Sequence, residues 1–258
     1  MDYKKIVFPL LEKAGEELKR QFGNAEVIHR KSDDAADVVT DLDRKTEEFL
    51  TTQLRKAFPS IGFFGEEFGG DKDGERFWLC DPIDGTAHFV RGLPFCTTML
   101  ALVEDGNVVF SVIYDFVKGD FYWAAKGKGA WKNKEQMHVS NRSLKEGYVS
   151  FETNFQKRKV NVQKYLELSN KTILLHTISA GFEYAMVAAG KLDARISLDP
   201  YGGVWDFAPG PLLVSEAGGV VANIGSKRYD YRNFDFIAAN PLIYRELTEG
   251  KNALFPTK

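Results

Sequence analysis

The amino-acid sequence predicts an α/β or α+β fold. It is expected to be a layered αβαβα sandwich, with an antiparallel sheet in the N-terminal half and a mixed sheet in the C-terminal half. Consecutive hairpin signals fill residues 97–125, and neighbouring hairpins form antiparallel sheets. From residue 148 onward, short apolar runs alternate with helical patterns, as in mixed or parallel sheets. The change of pattern near residues 140–147 divides the chain into two predicted subdomains, 1–142 and 143–258.

The N-terminal half opens with two predicted helices. Apolar residues recur at helical spacing over residues 4–21, which predicts an amphipathic helix. A second helix is predicted from about 43 to 57, because Pro59 stops the pattern. Strands are predicted at residues 77–79, 97–103, 108–114 and 120–125.

The C-terminal half alternates between the two kinds of element. Strands are predicted at residues 148–151, 173–175, 192–196, 220–222 and 236–239. Helices are predicted at residues 157–169, 179–189, 206–217 and after Pro241. Asp206 is a suitable N-cap for its helix, and Pro209 would lie in the first turn, where a missing N–H is tolerated.

Composition and charge exclude several classes. The chain has 258 residues, of which 44% are apolar and 27% charged, typical of a soluble globular protein. Its 34 basic and 36 acidic residues give a net charge of −2 without a long block of like charges, so no nucleic-acid partner is expected. Cys80 and Cys96 lack zinc-site spacing. The sequence has no signal-peptide core and no apolar run of bilayer length, so a cytoplasmic protein without a membrane partner is expected.

Four short acidic segments stand out, each at the edge of a predicted element. They are Val39-Thr40-Asp41-Leu42-Asp43, Gly65-Glu66-Glu67, Asp81-Pro82-Ile83-Asp84-Gly85-Thr86 and Trp205-Asp206-Phe207-Ala208-Pro209-Gly210. Taken singly, such segments are usually turns, solvated loops or helix caps. Taken together, they could supply the oxygen ligands that Mg²⁺ requires.

The third segment combines features of a cation site and of an anion site. A proline stiffens the loop that presents Asp81, Asp84 and the Ile83 carbonyl between them. Gly85 permits close approach of the backbone to a ligand. If Gly85 and Thr86 open a helix, their N–H groups would bind an anion such as phosphate.

In this order, the four segments resemble the inositol monophosphatase family, which belongs to the lithium-sensitive, Mg²⁺-dependent sugar-phosphatase superfamily. The resemblance extends from about residue 5 to about residue 250. It depends on the Asp81–Thr86 hexapeptide, on Asp206 in a Trp-Asp-x-Ala context and on Glu66 upstream. Residues 126–130 and 216–219 resemble secondary signatures of the family.

The resemblance implies a binding site for two or three Mg²⁺ ions. Glu66, Asp81 and the Ile83 carbonyl would bind the first ion, and Asp81, Asp84 and Asp206 the second. Asp43 would reach a third ion through water.

The remaining roles concern the reaction itself. Thr86 and Glu66 would orient the attacking water. The N–H groups of Gly85 and Thr86 would hold the phosphate of a small phosphate ester. The resemblance also suggests a homodimer.

Substrate choice is less constrained. Ser179 and Ala180 match the family's substrate-facing step, but the Arg and Gly that many members carry just before it are absent from residues 175–178. Asp199 lies seven residues before Asp206, at the spacing of an acid that binds substrate hydroxyls in inositol-cleaving members.

The leading hypothesis is therefore a phosphomonoesterase acting on inositol monophosphate or a related polyol or sugar phosphate. Fructose 1,6-bisphosphate, histidinol phosphate and 3′-phosphoadenosine nucleotides are alternative substrates on the same scaffold. A catalytically silent binding protein is an alternative of a different class, which the retained acidic residues disfavour. A Ca²⁺-binding structural domain would need a dense acidic loop that the sequence lacks.

Overall fold

A computed structural model describes residues 2–30, 38–71, 74–155 and 157–257. Within these ranges the helices are α1 (Lys4–Gln21), α2 (Asp41–Ala57), α3 (Thr86–Val90), α4 (Lys159–Ser169), α5 (Ala180–Ala188), α6 (Val204–Phe207), α7 (Pro209–Glu216) and α8 (Pro241–Thr248). The strands are β1 (Val27–Arg30), β2 (Val38–Thr40), β3 (Gly62–Gly65), β4 (Gly69–Gly70), β5 (Arg76–Asp84), β6 (Thr97–Glu104), β7 (Asn107–Asp115), β8 (Asp120–Ala125), β9 (Ala130–Lys132), β10 (Glu135–Met137), β11 (Tyr148–Thr153), β12 (Ile173–His176), β13 (Ala194–Leu198), β14 (Val220–Asn223) and β15 (Phe236–Ala239). Every helix in the described ranges falls short of the length or the apolarity needed to span a bilayer.

The first sheet has the strand order β10-β9-β8-β7-β6-β5-β3-β4 among the described residues. Its neighbouring strands are antiparallel except for β3 and β5, which run parallel. The predicted antiparallel sheet is therefore corrected at one edge. There the chain turns back through β4, antiparallel to β3, before it enters β5.

The second sheet has the order β12-β11-β13-β15-β14. Strands β12, β11 and β13 are parallel, whereas β15 is antiparallel to both of its neighbours. The predicted mixed sheet is confirmed. Its parallel part brings the carboxyl ends of β11, β12 and β13 to one edge, where ligands bind in open α/β sheets.

Three helical layers separate and cover the two sheets. One apolar cluster joins α1 and α2 to the outer face of the first sheet. A second joins α5 and α7 to the inner faces of both sheets, and a third joins α4 and α8 to the outer face of the second sheet. The αβαβα sandwich is confirmed.

The single helix predicted over residues 206–217 is instead two helices, α6 and α7. Pro209 has no N–H to donate to the carbonyl four residues earlier, so the helical hydrogen bonding breaks there. Pro209 then starts α7, as the first-turn prediction required.

The predicted subdomain boundary falls between β10, which ends at Met137, and β11, which begins at Tyr148. Because α5 and α7 pack against both sheets, the two halves share a core. The division into subdomains 1–142 and 143–258 stays a prediction.

Candidate active site

The carboxyl end of β5 brings Asp81 and Asp84 to the same side of the sheet. In a regular strand, residues three apart point to opposite faces. Here Asp81 pairs with Met99 and Asp84 with Thr97, so β5 advances by three residues where β6 advances by two. This β-bulge reverses the alternation. The segment predicted as a loop is thus a bulged strand.

Asp206 is the third residue of α6, a position different from the predicted N-cap. The N-cap is Gly203, whose N–H donates to Asp206 Oδ2 at 2.7 Å. The neighbouring Trp205 ring packs against Phe64 of β3, with ring centroids 6.0 Å apart. This contact fixes α6 beside the β3 end.

Glu66 follows β3 and lies next to Asp81. Its N–H donates to the carbonyl of Cys80 at 3.1 Å, and its carboxyl is within hydrogen-bonding reach of the Asp81 carboxyl. Binding of a metal ion by Glu66 and Asp81 together stays a prediction.

The carboxylates of Asp81, Asp84 and Asp206 form a cluster in which one oxygen from each lies within 4.8 Å of the others. Burial raises the pKa of Asp81 and of Asp206 well above the usual range, and neighbouring acids, Glu66 foremost, raise it further. Burial also raises the pKa of Asp84, although two N–H groups of α5 act in the opposite direction. These carboxyls therefore resist ionising together without a positive charge among them.

The cluster fits a hard divalent cation. Asp81 Oδ1 is buried and has no hydrogen-bond partner among the described residues, as expected of an oxygen that faces an ion. The donor set contains only oxygen, which suits Mg²⁺ better than it suits zinc. A cation at this position would allow the three carboxyls to ionise together.

Asp43 and Thr86 form a hydrogen-bonded pair beside the cluster. Asp43 is buried, and its Oδ2 accepts from the Thr40 N–H at 2.8 Å and from Thr40 Oγ1 at 2.6 Å. Its Oδ1 lies 2.9 Å from Thr86 Oγ1, which also lies 2.8 Å from the Ile83 carbonyl oxygen. Burial raises the pKa of Asp43 to about 6, despite the hydrogen bonds from both threonines.

Gly85 starts the short helix α3 with a left-handed φ of +80°. A Cβ at this position would lie 2.5 Å from the Phe95 carbonyl oxygen, so the turn admits only glycine. The first N–H groups of α3 lack partners within the helix. Gly85 and Thr86 therefore do open a helix, and binding of phosphate by their N–H groups stays a prediction.

Comparisons with known proteins agree with this geometry. The sequence matches the profile described as "Inositol monophosphatase family" over residues 2–257. The chain belongs to the inositol monophosphatase family. It is 33% identical to the fructose-1,6-bisphosphatase/inositol-1-monophosphatase of Thermotoga maritima, over 98% of this chain and 96% of that protein. It is 32% identical to Nus factor SuhB of Pseudomonas aeruginosa, over 91% and 90%.

Solved structures of inositol monophosphatases share the fold. One from Thermotoga maritima has a TM-score of 0.85 and 32% identity, with 95% of each chain covered. The chain is thus a phosphatase of the inositol monophosphatase family, whose members depend on metal ions.

The segments predicted to face the substrate occupy different positions relative to the cluster. Ser179 is the N-cap of α5, and the Ala180 N–H donates to Asp84 Oδ1 at 3.1 Å. Asp199 instead accepts from Asn161 Nδ2 at 3.1 Å and pairs with Arg158 Nε at 3.3 Å, both on or next to α4. Binding of substrate by these three residues stays a prediction.

Glu47 is a positioning residue that the sequence analysis did not identify. It is fully buried on α2, and its carboxylate accepts from the N–H groups of Glu67 at 2.7 Å and Phe68 at 2.9 Å. These bonds hold the loop that carries Glu66. Glu47 lies one helical turn beyond Asp43, so two acids on a buried helix face were the available signal.

Proposed function

We propose that this phosphatase is a Mg²⁺-dependent phosphomonoesterase that hydrolyses inositol monophosphate or a related polyol or sugar phosphate, as a cytoplasmic homodimer. The observation that carries the proposal is the cluster of Asp81, Asp84 and Asp206. Their oxygens converge within 4.8 Å, and Asp81 Oδ1 is buried without a partner among the described residues. Three buried carboxylates repel one another in the absence of a cation, and a bound cation would stabilise them.

Two or three ions are proposed. Glu66, Asp81 and the Ile83 carbonyl would hold the first, and Asp81, Asp84 and Asp206 the second. Asp43 would reach a third through water. Bound Mg²⁺ would neutralise the phosphate charge and lower the pKa of water.

The chain's own groups would orient the reactants. The Thr86 hydroxyl can donate to Asp43 and accept a hydrogen bond from the attacking water. Asp43 would draw a proton through this contact, while Glu66 would orient the same water from the other side. The N–H groups of Gly85 and Thr86 would hold the phosphate. Substrate hydroxyls would meet Ser179 and Ala180 at the start of α5 and Asp199 at the rim.

A phosphate-release assay tests the function. The panel is inositol 1-phosphate, fructose 1,6-bisphosphate, histidinol phosphate and 3′-phosphoadenosine 5′-phosphate, each with Mg²⁺ and with EDTA. The second substrate enters because a relative's name includes that activity. We expect rapid Mg²⁺-dependent release from the inositol or sugar ester. Exclusive cleavage of the histidinol or nucleotide ester would refute the polyol assignment.

Asp84→Asn tests the site, and Asp115→Asn is its control. Asp115 is also buried, but it lies on β7, one strand beyond β6 from Asp84, and accepts from Lys118. We expect the first variant to lose at least 100-fold in kcat and the second to keep wild-type kcat. Full Mg²⁺-dependent activity in Asp84→Asn would refute the assignment of the metal ligands.

Relatives named Nus factor SuhB raise the question of a nucleic-acid partner. The near balance of 34 basic and 36 acidic residues favours none, because backbone neutralisation needs concentrated basic side chains. Filter binding with structured RNA at 50 mM salt should therefore give no retention above that of a neutral control protein.

A further inference from the structure

A buried ion triad lies on the inner face of the second sheet. Arg195 of β13 donates hydrogen bonds to Glu152 of β11 and to Glu183 of α5, and all three residues are buried. The strand register pairs Arg195 with Ser150 and Glu152 with Ser197. Arg195 and Glu152 therefore project from one face of the sheet, towards α5.

Stability alone does not explain the triad, because apolar residues can often replace buried ion clusters without loss. Arg195 donates its hydrogen bonds to one oxygen of each glutamate. The other oxygen of Glu183 accepts the Ile178 N–H at 2.6 Å, and the other oxygen of Glu152 accepts the Tyr201 N–H at 3.2 Å. One guanidinium is thus linked to two backbone segments, each of which follows a parallel strand.

Both segments lead to members of the carboxylate cluster. The N–H groups of Ala180 and Gly181, two and three residues after Ile178, donate to the Asp84 carboxylate at 3.1 and 2.8 Å. The Gly203 N–H, two residues after Tyr201, donates to Asp206 Oδ2 at 2.7 Å. Two short chains of contacts therefore join Arg195 to Asp84 and to Asp206.

We propose that Arg195 is a positioning residue: by holding Glu152 and Glu183 it sets the separation of Asp84 and Asp206, and with it the affinity for Mg²⁺. The inference rests on the proposed function in one respect, namely that Asp84 and Asp206 bind the same ion. Residues that orient metal ligands typically contribute about 10- to 100-fold in metal affinity.

Mg²⁺ titration by calorimetry on the wild type and on Arg195→Lys tests this role. Lysine keeps the charge, but its single ammonium lacks the planar fork that spans two carboxylates. We expect Mg²⁺ binding about 10- to 100-fold weaker. In activity assays the Mg²⁺ requirement should rise by the same factor, and kcat at saturating Mg²⁺ should recover towards the wild-type value.

Arg142→Lys is the matched control. Arg142 donates to the buried Asp193 at 2.9 Å, at the opposite end of β13 from the cluster. This variant should lose stability but keep wild-type Mg²⁺ affinity. Wild-type Mg²⁺ binding by Arg195→Lys, or equal weakening in both variants, would reduce the triad to a structural feature and overturn the proposal.

A charge-free triple variant, Arg195→Met with Glu152→Gln and Glu183→Gln, covers the case in which Arg195→Lys does not fold. Each glutamine can still accept its backbone N–H, but no group holds the two together, so weaker Mg²⁺ binding is again expected. Wild-type affinity in this variant would overturn the proposal. A wild-type protein that binds Mg²⁺ but hydrolyses no ester of the panel would refute the proposed function alone. Absence of Mg²⁺ binding by the wild type would refute both.

Discussion

In the proposed mechanism, Asp43 would act as a proton acceptor near neutral pH. Its pKa is raised to about 6 from 3.8 because the carboxyl is buried. At pH 7 to 8 it is therefore ionised but close enough to its pKa to take a proton efficiently. We expect the activity of the wild type to fall as the pH drops through about 6.

Asp43→Asn should separate activity from stability. The amide cannot accept a proton, so kcat should fall about 10²- to 10⁴-fold. A raised carboxyl pKa favours the folded state below the unfolded pKa, and this contribution is lost as the pH rises through about 6. At pH 8 the buried Asp43 carboxylate is charged and destabilises the folded state, whereas asparagine is neutral. The free energy of unfolding of Asp43→Asn in EDTA at pH 8 should therefore exceed that of the wild type by at most about 3 kcal/mol.

Urea unfolding at pH 5 and pH 8, with a kcat–pH profile, checks both effects. Asp41→Asn is the control, because Asp41 is exposed and pairs with Lys45 on the same helix. It should change neither quantity appreciably. An Asp43→Asn enzyme with the wild-type kcat and pH profile would remove Asp43 from the mechanism.

At this scale the sequence identified the acids but not their surroundings. Asp81, Asp84 and Asp206 could be predicted as a cluster because their spacing and context are specific. The bulge in β5 could not, since it depends on how β6 pairs with β5. Glu47 was missed because its spacing from Asp43 indicates a shared helix face but not the loop whose N–H groups its carboxylate accepts from.

The short helix α3 depends on the backbone conformation of Gly85. Gly85→Ala would force alanine into a left-handed φ and would place its Cβ 2.5 Å from the Phe95 carbonyl oxygen, which is a steric clash. The first N–H groups of α3 would then move away from the proposed phosphate position. We expect kcat to fall at least 100-fold and stability to fall by about 2 to 4 kcal/mol, from backbone strain and steric displacement together.

Gly119→Ala isolates the backbone strain. Gly119 has a similar φ of +76°, but a Cβ there would have no atom within 4 Å. This variant should lose only about 1 kcal/mol and retain full activity. Thermal melts and phosphate-release assays on the pair provide the measurement. Equal behaviour of the two variants would mean that the Phe95 contact does not position α3.

Elements with a clear period could be predicted, and short strands could not. α1 buries an apolar stripe, and α2 buries Leu50 and Leu54 in its second half, so the apolar patterns that predicted these helices agree with their structures. β4 has two residues, and β9 and β10 have three each, too few to display an alternation. These strands form because their neighbours offer a free edge, a property of the assembled sheet.

For the whole molecule, the carboxylate cluster connects the two sheets. Asp81 and Asp84 belong to the first sheet, whereas Asp206 follows the second. A cation held between them binds only the folded chain, so Mg²⁺ should raise Tm with the logarithm of its concentration. At 100 times Kd we expect about 2.7 kcal/mol, or roughly 5–10 °C for a protein of this size.

Asp206→Asn should abolish this Mg²⁺-dependent shift. The pKa of Asp206 is raised by burial and by neighbouring acids, so neutralising it should leave the Tm in EDTA unchanged or higher. Differential scanning fluorimetry over a Mg²⁺ series measures both effects. A variant with the wild-type Mg²⁺ response would show that the ion binds elsewhere.

The proposed homodimer makes a prediction about one outer surface, the α4–β12 patch (Val162, Leu166 and Ile173). Leu166 is 56% and Ile173 53% exposed, β12 is an edge strand and α4 contacts it. Exposed apolar side chains beside a free strand edge favour association with a second copy.

Leu166→Glu should therefore give a monomer by size-exclusion chromatography with light scattering, whereas Ile6→Glu, on the exposed side of α1, should stay dimeric. A dimeric Leu166→Glu protein would place the interface elsewhere, and a monomeric wild type would exclude the homodimer.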